Sequence, residues 1–80
     1  MNKITYEQFA TGVWRAAMES PEYIRNGQAI FNYIDEQYGV ARTVQFDFGV
    51  DCFYDDSKIS KFIELSWKLI DDMQNERLPK

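Results

Sequence analysis

The chain has 80 residues, nine Lys/Arg against thirteen Asp/Glu, a net charge of −4, one cysteine and no histidine. That length holds one domain, expected over residues 1–80, with a small core and a thin stability margin. The missing histidine excludes histidine triads and histidine-ligated metals; the lone Cys52 excludes an intrachain disulfide, and no charge run marks a phosphate-binding track.

A first helix is predicted from a cap at Thr5, with Gln8 three residues on as its capping-box partner. Ile4 and Phe9 stand where a hydrophobic staple would. Tyr6, Phe9, Ala10, Val13, Trp14 and Ala17 recur at helical spacing, with Met18 extending the face. Ser20-Pro21 ends this helix and is read as opening the next. The second helical region runs from about Pro21 to Tyr38, with Asn26-Gly27 as a point of interruption or restart. Ile30, Phe31, Ile34 and Tyr38 form its stripe, and Gly39 suits a left-handed C-cap. Gly27 is read as a site of close approach by the first helix.

The segment from Thr43 to Asp56 is the ambiguous part. Val44, Phe46, Phe48 and Val50 alternate with Thr43, Gln45, Asp47 and Gly49, as in a half-buried strand. No second strand is evident, so that reading requires pairing between chains, an α+β alternative. The preferred reading is all-α: three main helices joined by an aromatic, acidic connection, with 40–44 as a short helical turn. The last helix is predicted from Asp56 or Ser57 to about Glu76, burying Ile59, Phe62, Ile63, Ser66, Leu69, Ile70 and Met73. Asp55, Asp56 or Ser57 would cap it. Pro79 and Lys80 are expected to fray.

The segments Arg25-Asn26-Gly27-Gln28-Ala29-Ile30-Phe31-Asn32-Tyr33-Ile34 and Asp51-Cys52-Phe53-Tyr54-Asp55-Asp56-Ser57-Lys58-Ile59, ending with Phe62, cover about half the chain. They resemble a group of small, largely uncharacterised phage and bacterial proteins. Its shared core corresponds to Gly27-Gln28, Asn32, Asp51, Phe53-Tyr54, Asp56 and Ile59, and its members often carry Pro where this chain has Cys52. The resemblance implies a compact helical protein, with no catalytic assignment and a phage accessory role.

The chemistry is mostly negative. An EF-hand counted from Asp47 fails, because Cys52 takes the glycine position and Lys58 the terminal glutamate position. Counting from Asp51 fails too, so no metal site and no cofactor are expected. Paired carboxylates alone do not make an acid–base dyad, and Cys52 among apolar neighbours reads as an inert thiol. Gln28 and Asn32, one turn apart, are read as holding the aromatic segment through hydrogen bonds to Asp51, Tyr54 or backbone. Trp14 and Trp67 read as partly buried core. Tyr23, Tyr33, Tyr38, Phe48 and Tyr54 exceed what so small an interior holds.

From Asp35 to Asp56 six acids face one base, Arg42. The resulting expectation is a noncatalytic protein-binding module, a phage accessory inhibitor of a host protein, with Phe48, Asp51, Tyr54 and Asp55 meeting a basic surface. A structural homo-oligomer or a small-ligand-sequestering protein is the alternative. Nucleic acid is disfavoured. No apolar run of bilayer length is present, so no membrane partner is expected. The opening residues enter an amphipathic pattern directly, which sets cytoplasm as the expected location.

Overall fold

In the computed structural model, which describes residues 3–75, the chain is an all-α bundle. Helix α1 spans Tyr6–Glu19, α2 Asn26–Tyr38, α3 Ala41–Asp47 and α4 Ile59–Gln74, with a 3-10 turn at Asp56–Lys58 before α4. Among the described residues there is no strand.

Local chemistry sets most of these boundaries. Thr5 Oγ1 accepts the Gln8 N–H at 3.1 Å, and Gln8 Oε1 accepts the Thr5 N–H at 2.9 Å, completing the expected capping box. Gly39 (φ 71°) turns its N–H onto the carbonyls of Ile34 and Asp35, both at 3.1 Å, and so closes α2. Pro21 does not open α2. Pro21 accepts the Ile24 N–H at 2.9 Å in a separate turn, and the helix restarts at Asn26 with Gln28 Oε1 accepting the Arg25 N–H at 3.3 Å.

The connection departs furthest from the strand alternative. Ala41 and Val44, three residues apart, are both fully buried, with Val40 beside them. They seat α3 against α2 and α4, and the helix reaches Asp47 rather than stopping at 44. The alternation through Phe46, Phe48 and Val50 carries no strand pairing. Gly49 (φ 69°) then reverses the chain, and the Val50 N–H returns to the Val44 carbonyl at 3.2 Å.

The core is filled by Phe9 and Val13 of α1, Ile30 and Ile34 of α2, Val44 of α3, Cys52, and Phe62 of α4, all fully buried. Gly12 lets α1 approach α2, since a β-carbon there would overlap the Tyr33 hydroxyl. Gln74 fastens the segment before α1 to the end of α4: its amide oxygen accepts the Ile4 N–H at 2.6 Å and its amide nitrogen donates to the Ile4 carbonyl at 3.2 Å. The expected α4 end at Glu76, with Pro79 and Lys80, lies outside the described residues. No helix among the described residues is long and apolar enough to cross a membrane.

Candidate functional site

The two segments that carry the resemblance lie against each other, through backbone at Gly27 and through side chains at Arg25, Cys52 and the Phe31–Phe53 ring pair. Gly27, in the first turn of α2, sits so close to the Cys52 carbonyl that a β-carbon would overlap its oxygen and come within 2.7 Å of Asp56 Oδ1. The approach expected of α1 at Gly27 is therefore made by the 51–56 loop, and α1 uses Gly12 instead. The buried Cys52 thiol donates to the Gly27 carbonyl at 3.4 Å. Arg25 Nη2 donates to the Phe53 carbonyl at 2.6 Å, a charge-assisted bond that ties the loop to the start of α2. Gln28 is committed to the Arg25 N–H and Asn32 is exposed, so the loop is held by Arg25 and Gly27 rather than by the two amides.

Two of the four sequence candidates are engaged within the loop. Asp51 Oδ1 accepts the Phe53 N–H at 2.9 Å, an Asx turn. Asp55 Oδ1 accepts the Ser57 hydroxyl at 2.6 Å and its N–H at 3.0 Å, capping the 3-10 turn. These bonds, the hydroxyl first, hold the Asp55 carboxyl below its ordinary range, so it stays a carboxylate.

The aromatic candidates point outward. Tyr54 is 70 % exposed and Phe48 47 %. Phe46, outside the expected set, is the most exposed aromatic of the segment at 74 %. It joins Arg42 and Gln45 on the outer face of α3, and these three meet Phe31, Phe53 and Tyr54 around a shallow depression of about 200 Å³. Phe53 is edge-on to the buried Phe31 at 5.4 Å and to Tyr54 at 4.8 Å between ring centroids. Phe48 lies outside this depression. Arg42 is held only loosely by Asp35, at 3.9 Å, and its side chain is 75 % exposed. The observed helix over Ala41–Asp47 puts Arg42, Gln45 and Phe46 on one face by their spacing; the turn expected over 40–44 stopped short of Gln45 and Phe46 and missed that grouping.

The site holds little reactive chemistry. Burial, reinforced by the neighbouring Asp51 charge, pushes the Cys52 thiol up to about 12, which keeps it protonated. Among the described residues no three Asp, Glu or Cys side chains converge as a metal site. Elsewhere, Tyr23 is 82 % exposed, Tyr33 and Tyr38 pack edge-on at 6.2 Å, and Trp67 lies on Phe9 at 5.5 Å. What the arrangement offers is a rigidly backed aromatic surface with Arg42 at its rim and Asp55 beside Tyr54. Comparison with protein-family models, curated proteins and solved structures gives no match to this chain.

Proposed function

We propose that this chain is a noncatalytic protein-binding module that uses the outer face of α3 and the loop after it. The observation that carries this reading is the exposure of Phe46, Phe48 and Tyr54 on a segment tied to α2 by the buried Cys52 thiol and the exposed Arg25 guanidinium. Large aromatics on a preorganised surface lose little conformational freedom on docking, which is why they anchor interfaces. Phe46 and Tyr54 are the anchors, with Phe48 at the edge. Asp51 and Asp55 each keep a second carboxylate oxygen for a basic group of the partner, while Arg42 limits how basic the neighbouring part of that partner can be. Inhibition of a host protein by steric blocking, in the cytoplasm, is the accessory role that the resemblance implies, and it requires no turnover.

A photo-crosslinking residue in place of Tyr54 tests this directly. Irradiation in host cells is expected to give one dominant adduct with a single cellular protein. Adducts spread over many proteins, or none, would remove the binding-module reading.

A further inference from the structure

Helix α1 makes no contact with α3 and carries a second exposed apolar strip. Tyr6, Ala10, Trp14 and Met18 recur every fourth residue, and Tyr6, Trp14 and Met18 are 50 %, 45 % and 83 % exposed. Ala10, Trp14 and Met18, with Thr11 and Arg15, line an open and almost wholly apolar depression of about 410 Å³. Thr11 and Arg15 also border a neighbouring depression with Glu7, so a cation and an anion flank the strip on the same side. Neither Glu7 nor Arg15 takes part in an ion pair among the described residues.

We propose that this strip is the contact for a second copy of the chain, docked antiparallel, α1 on α1, with Thr11 at the two-fold axis. Glu7 and Arg15 stand four residues on either side of Thr11. An antiparallel pair in that register brings each Glu7 level with the partner's Arg15, twice per dimer, as an isologous contact requires. The same register interleaves the strips. Trp14 falls level with the gap between the partner's Tyr6 and the partner's Ala10, where the alanine leaves room for an indole. Ala10 in turn falls level with the gap between the partner's Ala10 and the partner's Trp14, the interleaved relation of packed helices. A parallel pair would set Glu7 beside Glu7 and Arg15 beside Arg15, so charge selects the antiparallel arrangement. A uniformly charged foreign surface would meet the wrong sign at one end of the strip, whereas a second copy matches both ends.

A contact made through one helix strip on each chain is expected to be weak, with Kd on the order of 100 µM. Because α3 stays clear of it, the dimer would present two copies of the aromatic surface.

Sedimentation equilibrium on the full chain, from about 10 µM to about 1 mM, reads this association. The weight-average mass is expected to climb from one chain toward two. Glu7→Arg and Arg15→Glu are each expected to weaken self-association at least about tenfold. An equimolar mixture of the two variants should restore a dimer, because one presents only positive and the other only negative charge at the paired positions. The recovery on mixing also shows that both variants are folded. A mass that stays at one chain up to about 1 mM overturns the proposal. So do single variants that associate as the unaltered chain does, or loss of dimer on Phe46→Ser in place of the α1 changes.

Discussion

Gly27 and Gly12 both admit a neighbour where a side chain would not fit, but the neighbours differ in how far they can yield. At Gly27 the obstacle is the Cys52 backbone, whose next residue, Phe53, is held by Asp51 through its N–H and by Arg25 through its carbonyl. At Gly12 it is the hydroxyl end of the partly buried Tyr33 side chain, which can swing where backbone cannot. Gly27→Ala is therefore expected to cost about 2–3 kcal/mol. Gly12→Ala should be near neutral, because the gain of about 1 kcal/mol in helix propensity offsets the displacement of Tyr33. Chemical denaturation of the two variants checks the contrast; equal losses would contradict it. The sequence marked Gly27 as a close approach but could not say whose, since partners far apart in the chain leave no local signal. Cys52 adds a pH effect. Its folded pKa of about 12 stands above the ordinary 9.0, so its contribution is complete below pH 9 and is lost as pH rises toward 12. Tyr38, likewise raised from 10.0 to about 12 chiefly by burial, steepens the upper part of that window. Stability should fall above pH 9 by about 1.4 kcal/mol per pH unit for the thiol alone, and Cys52→Ala should flatten the slope between pH 9 and 10. An unchanged slope in that variant would show that the thiol is not the titrating group.

The longer helices were legible because their signals are local: a capping box for α1, a glycine C-cap for α2, an acidic cap and a long apolar stripe before and along α4. Helix α3 was not. Seven residues form no stable helix alone, and this one exists because Ala41 and Val44 dock on α2 and α4. Val44, Phe46, Phe48 and Val50 alternate as a strand would, yet only Val44 of the first three enters the core, and exposed Phe46 and Phe48 supply the false period. Pro21 misled for a related reason, since a helix-compatible first residue does not show that its turn continues. Within α4, Ser66 is fully buried and its hydroxyl has no side-chain or backbone partner among the described residues. Ser66→Ala removes an unsatisfied polar group and improves helix propensity, so it is expected to stabilise the protein by about 1 kcal/mol. Thermal unfolding would record this as a rise of roughly 4–8 °C in Tm. A fall would mean that the hydroxyl is satisfied within the folded chain.

Taken whole, the molecule is somewhat extended, 42 × 26 × 17 Å, with a radius of gyration of 12.4 Å, against about 11.6 Å for a compact chain of this length. Four short elements cannot enclose thirteen aromatics, and apart from Tyr23 in the turn before α2 the most exposed of them fall on two surfaces. One lies on α3 and the loop after it, the other on the outer face of α1. The sequence pointed to the first region and placed Tyr54 and Phe48 in it, but not Phe46, Arg42 or Gln45, whose grouping depends on α3 continuing past residue 44. It assigned Asp51 and Asp55 to a partner, whereas each already has one oxygen engaged in shaping the loop. Affinity capture from the native host at physiological salt tests the binding reading most directly, with the unaltered chain compared with a Phe46→Ser/Tyr54→Ser variant of equal unfolding midpoint. A stoichiometric protein partner retained by the first and depleted at least about thirtyfold with the second is the expected result. A partner retained equally by both, or a variant that no longer unfolds cooperatively, would contradict the assignment of these aromatics to a binding surface.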